Sequence, residues 1–207
     1  MTYEAGVHGW PVPGVFYDAS AFQVEARNRI ETEQLMPTET INVNTGNTRS
    51  RGVEMQGSFD LLRLMSPPPG DRHLTLFANS SLLDAKFTGS AIPGQIGKTP
   101  AYAPHCVLKA GLTYRRCHRF EASLVVDSVG AQYVQDSDLA AGSTPARIPS
   151  YVVADLSGEY MFAGHWRVMG GVANLTDRRY YSRVFLFGGM LEPALTRQFY
   201  AGVRYDL

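Results

Sequence analysis

The sequence predicts an all-β fold, an antiparallel meander of membrane-crossing strands forming part of a barrel. Three observations lead there. Apolar and polar residues alternate with period two over stretches well beyond the roughly five or six residues of an ordinary strand. The connections between those stretches alternate short and long along the chain. Aromatic side chains gather near both ends of the stretches, like the girdles flanking a lipid-facing band.

The strands are read at 1–10, 15–30, 48–64, 72–87, 104–115, 119–133, 149–162, 165–176 and 195–207, about nine in all. Pro11–Gly14 separates the first two as a turn. In the third, Val53, Met55, Gly57, Phe59 and Leu61 share one face and Glu54, Gln56, Ser58 and Asp60 the other. The turn Ser66–Asp71 leads to the fourth. In the fifth, Leu108, Ala110, Leu112 and Tyr114 oppose Lys109, Gly111 and Thr113, and Arg116–His118 turns into the sixth. The seventh sets Val152, Ala154, Leu156, Gly158 and Tyr160 against Asp155, Ser157 and Glu159, and Ala163–Gly164 turns into the eighth. The last sets Phe199, Ala201, Val203, Tyr205 and Leu207 against Gln198, Tyr200, Arg204 and Asp206. Longer loops are expected at Glu31–Asn47, Thr88–Ala103, Val134–Ile148 and Asp177–Ala194.

Tyr102 and Tyr114 have the same parity and lie roughly 40 Å apart along an extended chain. At a tilt near 40° this projects to about 30 Å, close to the lipid-facing band with its girdles. A soluble β-barrel for a lipophilic ligand would instead carry charge on its outer face, where these strands are apolar.

Composition narrows the function. The 207 residues carry 19 Lys+Arg and 19 Asp+Glu, so no basic excess exists to neutralise nucleic-acid phosphates. At 44% hydrophobic the chain is not a solvated tail. The longest apolar run, Val184–Leu191, is far short of the roughly 18 residues of a membrane-spanning helix. The N-terminus Met1-Thr2-Tyr3-Glu4-Ala5 shows no secretory signal.

No constellation supports an enzyme, a cofactor or a metal. His8, His73, His105, His118 and His165 lack the spacing of ligand pairs. Gly94–Thr99 imitates part of a phosphate loop, but Ile92 stands where the motif needs glycine. Cys106 and Cys117 fall at the two ends of one strand, roughly 36 Å apart, too far for a disulfide.

Four stretches carry a specific resemblance. Asn44-Thr45-Gly46-Asn47-Thr48-Arg49-Ser50-Arg51-Gly52-Val53-Glu54 resembles the N-x-G-x-x-R-x-x-G-x-E stretch of TonB-dependent outer-membrane receptors. Arg147-Ile148-Pro149-Ser150-Tyr151 resembles the start of their third-last strand, and Asn174-Leu175-Thr176-Asp177-Arg178-Arg179-Tyr180 their N-L-F-D-K-x-Y motif. Pro193 and Arg197 to Leu207 resemble their C-terminal strand. Residues 126–148 look most like the ferric-citrate branch.

The resemblance implies the last nine strands of a barrel of about 22, with short turns on the periplasmic side and long loops outside. It implies an outer-membrane location and uptake of a ferric chelate, a siderophore or citrate, driven through TonB. The family's plug domain, energy-coupling box and signal peptide have no counterpart in residues 1–207, so the chain by itself is expected to transport nothing. Arg49, Arg147 and Arg183, near the outer loops, are the expected ligand contacts, because a guanidinium forks onto carboxylates. Glu54, Lys109, Asp155 and Arg204 are expected to face the lumen and the plug. Gly202, Tyr205 and Leu207 resemble the terminal signal read by the barrel assembly machinery, with Leu207 in place of the commoner Phe. The alternative is a self-contained barrel of eight strands, structural or pore-forming, in which the first stretch does not cross the membrane.

Overall fold

The computed structural model describes all residues except 37–38, 66–69, 91–93, 135, 137–146, 186–189 and 207; the side chains of 31–36, 39–40, 43, 45, 185 and 190 are likewise not described. The strands are β1 Thr2–Gly9, β2 Val15–Met36, β3 Glu39–Asp60, β4 Arg72–Gly89, β5 Cys106–Arg116, β6 Phe120–Val129, β7 Gln132–Tyr133, β8 Arg147–Ile148, β9 Tyr151–Phe162, β10 Trp166–Ala173, β11 Tyr181–Phe185, β12 Met190–Pro193 and β13 Gln198–Tyr205. Nine of them form one antiparallel sheet in the order β1-β2-β3-β4-β5-β6-β9-β10-β13. The two remaining pairs, β7–β8 and β11–β12, are short ladders.

Register carries the alternation of each strand across the sheet. Val15, Phe59, Leu76, Leu112, Leu124, Leu156, Val172 and Phe199 are successive cross-strand partners, forming one unbroken apolar row. One residue away on the opposite face, Asp60, Thr75, Thr113, Ser123, Ser157, Gly171 and Tyr200 form the matching row. Within it the Thr113 and Ser123 hydroxyls hydrogen-bond at 2.8 Å. Leu76, Leu112, Leu124, Leu156 and Phe199 are all exposed. In water so broad an apolar surface would aggregate; in a bilayer it is the solvated face. A one-residue slip would carry the charges into lipid, and this fixes the register.

The tight turns after β1, β5 and β9 match the expected ones, whereas β3 ends at Asp60 rather than at 64, and most of the turn expected at Ser66–Asp71 lies outside the described residues. Cys117 and His118 both have positive φ, 51° and 53°, as do Ala163 and Gly164, 51° and 76°. Two successive left-handed residues make the hairpin turn whose twist suits antiparallel strands, so non-glycine residues are tolerated there. Rings cluster at this end: Trp10 on Phe16 at 5.2 Å, Phe162 on Trp166 at 6.4 Å and Trp166 on Tyr205 at 4.9 Å.

Several expectations change. The loop placed at Glu31–Asn47 is an extension of the β2–β3 ladder, which runs past the sheet to Met36↔Glu39. β-Branched residues at Thr32 and Ile41 suit this. Residues 134–148 and 177–194 are bordered or crossed by the β7–β8 and β11–β12 ladders. The first stretch, left out of the membrane in the eight-stranded alternative, is the ninth strand of the sheet: β1 pairs with β2 along its whole length, from Thr2↔Val24 to Gly9↔Tyr17.

Candidate functional site

The sheet offers two functional surfaces: its polar face and the cluster of long connections at one end. On the polar face charges meet as cross-strand neighbours. Lys109 Nζ lies 3.3 Å from Asp127, and Arg115 Nη2 lies 2.7 Å from Glu121. Toward the tight turns Arg167 pairs with Glu159, and Arg204 Nε donates to Asp206 at 2.5 Å. A concave trough of about 670 Å³ crosses the first strands, lined by Glu4, Asp18, Glu54, Gln56, Asn79 and Lys109 together with apolar residues such as Val7 and Val107. Glu54 has no hydrogen-bond or ion-pair partner among the described residues.

At the long-loop end the chain folds over the sheet and builds its most enclosed region. Phe87 is 1% exposed, beneath the segment 95–98, whose Lys98 carbonyl accepts the Phe87 N–H at 3.0 Å. Gln95, also buried, donates to the Asp136 carbonyl at 3.3 Å. The Asp136 carboxylate accepts the Ala101 N–H at 2.8 Å and faces Arg29 Nη2 at 3.7 Å. Arg29 in turn lies over the Phe87 ring, 5.8 Å from its centroid. Tyr102 N–H donates to the Tyr133 carbonyl at 2.9 Å, and the Arg147 guanidinium sits 5.2 Å over the Tyr133 ring. Together these contacts tie the connections around Gln95, Asp136 and Arg147 into one packed unit above β2 and β4.

The last long connection is held differently. Asn174, φ +51° and 5% exposed, accepts the Arg178 N–H and donates to the Arg178 and Leu195 carbonyls. Asp177 accepts the Arg197 N–H at 2.9 Å. One asparagine and one aspartate thus close both ends of the loop. Tyr151 and Tyr180 stack beside it, 4.3 Å apart.

The three expected ligand arginines do not come together. Arg49 lies inside β3, three residues past Gly46, with the outward parity of Val53 and Met55 rather than at a loop junction. Arg183 is engaged by Glu192, its cross-strand partner, through Nε at 2.5 Å and Nη2 at 2.9 Å. That hydrogen bond holds the Glu192 carboxyl below the usual glutamate range and raises the Arg183 pKa. Arg147 is exposed and lies over an aromatic ring, with no carboxylate partner among the described residues.

The expected lumen residues Glu54, Lys109, Asp155 and Arg204 do share the polar face. Asp155, however, uses its Oδ1 to accept the Asn174 N–H at 2.7 Å. Of the terminal triplet, Tyr205 is exposed outward, Gly202 faces the polar side, and Leu207 lies outside the described residues. Cys106 opens β5 and Cys117 follows its end, both exposed. Among the described residues no three His, Cys, Asp or Glu are grouped as metal ligands.

A family model described as TonB dependent receptor-like, beta-barrel, matches residues 1–175. The ferric citrate transporter FecA in its unliganded form superposes with a TM-score of 0.80 at 19% identity, over 98% of this chain and 30% of that one. The ferric yersiniabactin uptake receptor FyuA from Yersinia pestis gives 0.76 at 18% identity, over 100% of this chain and 29% of that one. The copper transporter OprC gives 0.74 at 18% identity, covering 99% and 29%. At such identities the likeness is one of fold, and residues 1–207 span about a third of each of those chains. No curated protein matches the sequence.

Proposed function

The chain belongs to the TonB-dependent receptor-like β-barrel family, a family of outer-membrane proteins, and from that premise we propose that it forms part of the wall and mouth of a receptor importing a ferric chelate. The observation that carries the reading is the pairing of an unbroken apolar outer row with a polar inner face under a packed loop cluster. The wall needs no chemistry of its own. It holds a lumen that a plug closes, and import follows when TonB pulls on that plug.

Arg147 supplies the cationic contact to the chelate: its guanidinium has no carboxylate partner among the described residues and lies over the Tyr133 ring. Arg183 contributes only when Glu192 releases it. Glu54, without a partner on the wall, and Lys109 face the plug; Asp155 and Arg204 are occupied by Asn174 and Asp206. Gly202, Tyr205 and Leu207 are read by the assembly machinery as an edge strand. The siderophore or citrate class of cargo follows the FecA and FyuA neighbours, whose names state it of those proteins.

The experiment is uptake of labelled iron by iron-starved cells, with and without the gene, supplied singly as ferric citrate, a ferric catecholate and a ferric hydroxamate. Loss of energy-dependent uptake of one chelate supports the reading. Unchanged uptake of all three, with altered leakage of small polar solutes, supports a pore instead.

A further inference from the structure

The outward face of the sheet is apolar through its middle and then changes abruptly. On β3 the outward positions run Phe59, Gly57, Met55 and Val53, followed by Arg51 and Arg49. Arg51 lies about 26 Å of strand from Phe59, about 20 Å in projection at a tilt near 40°, most of the roughly 25 Å height of a barrel's apolar band. Its register neighbours are Gln23 and Asp84; those of Arg49 are Glu25 and Lys86. These side chains stand outside the wall: along β4, Asp84 and Lys86 alternate with Ala85 and Phe87, which are buried on the inner side.

The patch has more cations than its own carboxylates neutralise. Glu25 faces Arg27 at 3.9 Å and Asp84 faces Lys86 at 3.2 Å. Arg51 Nε donates only to the neutral Gln23 Oε1, at 2.8 Å. Arg49 has no hydrogen-bond or ion-pair partner among the described residues. Two guanidiniums thus sit at the edge of an apolar belt with no carboxylate bound to them among the described residues, so they are open to an anion from the surroundings.

We propose that Arg49 and Arg51, with Lys86, bind phosphate groups on the head groups of outer-leaflet lipids, a role that rests on the outer-membrane reading above. Guanidinium forks match the paired oxygens of a phosphate, and Lys86 adds a point charge beside them. Free phosphate offers the same oxygens. Continuity favours lipid: Val53 and Leu82, cross-strand partners immediately below the patch, are exposed where the acyl chains of such a molecule would lie. The extended β2–β3 ladder above would then stand in the head-group layer, pinned sideways by the lipid.

The test uses the protein as cells make it, extracted from outer membranes in a non-ionic detergent. Phosphate carried per protein is measured after repeated detergent exchange and divided into solvent-extractable lipid phosphate and water-soluble phosphate. The wild type is expected to retain lipid phosphate and to lose it in high salt. The R49Q/R51Q/K86Q variant is expected to retain it about a hundredfold more weakly, on the order of fivefold per cation removed. R115Q, which removes a charge from the inner face, is expected to retain lipid phosphate as the wild type does. Equal lipid phosphate on wild type and triple variant overturns the proposal, as does phosphate that is wholly water-soluble. If the triple variant fails to insert, the salt release on wild type and the single variant R49Q carry the same decision. Absence of the wild-type protein from the outer-membrane fraction overturns the reading beneath it, a result distinct from loss of lipid alone.

Discussion

Asp155 Oδ1 accepts the backbone N–H of Asn174 at 2.7 Å, so a carboxylate on the inner wall holds the first residue after β10. Leu175 N–H then donates to the Ala154 carbonyl at 2.6 Å, and the chain leaves the ladder through the left-handed Asn174. The buried Asn174 amide clasps residues 178 and 195 at opposite ends of the last long connection.

Replacing Asn174 with Ala should therefore cost about 2–4 kcal/mol, since it strands buried backbone groups and keeps a side chain at positive φ. Asn174→Gly removes the same hydrogen bonds but relieves the backbone, and should recover about 1 kcal/mol of that loss. Urea unfolding of the purified protein, with proteolysis between 178 and 195, separates the two. Equal behaviour of both variants and wild type would show that the clasp is dispensable.

The face assignment predicts opposite outcomes for neighbouring residues. Leu124 lies in the exposed apolar row and Ser123 in the polar row behind it. Leu124→Lys should cost about 2–4 kcal/mol at mid-membrane, whereas Ser123→Lys should be near neutral in a wet lumen. Folding of both into lipid vesicles, followed by the heat-dependent gel shift of folded barrels, measures the difference. A larger effect at Ser123 would mean that the sheet faces the other way.

The sequence made the wall legible because each strand has two environments and period two records both. Strand β9 shows this: Val152, Leu156 and Tyr160 are exposed while Val153, Asp155 and Glu159 turn inward. The ends of the strands were harder to place. The β2–β3 ladder continues past its neighbours in the sheet, and the sequence there carries no apolar–polar alternation to reveal it. The mouth was least legible. Asp136 and Gln95 come together across a gap of 41 residues, and no local pattern announces such a contact. Arginine as a residue type also says nothing of its neighbours: Arg183 and Arg147 look alike in sequence, but Glu192 occupies one and a tyrosine ring supports the other.

Close packing of the wall yields a third prediction. Gly111 is the cross-strand partner of Phe77, and a Cβ on it would lie 2.7 Å from both the Phe77 ring and the Leu124 carbonyl. The aromatic ring covers backbone that glycine leaves bare. Gly111→Ala should destabilise by about 1–3 kcal/mol, because the backbone carbonyl cannot move aside. Adding Phe77→Leu should restore the part due to the ring but not the part due to the carbonyl. A double-mutant cycle in urea reads that coupling, and strict additivity would remove the ring from the account.

Arg183 and Glu192 set the charge of the mouth as a function of pH. Their hydrogen bond depresses the Glu192 pKa, so the folded hairpin binds its proton less readily than the unfolded chain does. The contribution to stability is complete above the ordinary glutamate range and is lost as pH falls through the lower, folded value. At neutral pH Arg183 is therefore committed to its partner. Arg183→Gln should change affinity for an anionic ferric chelate less than about twofold, while Arg147→Gln should lower it on the order of tenfold, the worth of one charge-assisted hydrogen bond. Glu192→Gln should raise affinity several-fold by freeing the guanidinium, and the gain should disappear in the Arg183→Gln background. Titration of the purified protein with ferric citrate and with a ferric catecholate, at neutral pH and low salt, checks all four. Equal losses at Arg183 and Arg147 would mean that Glu192 releases its partner when the chelate arrives.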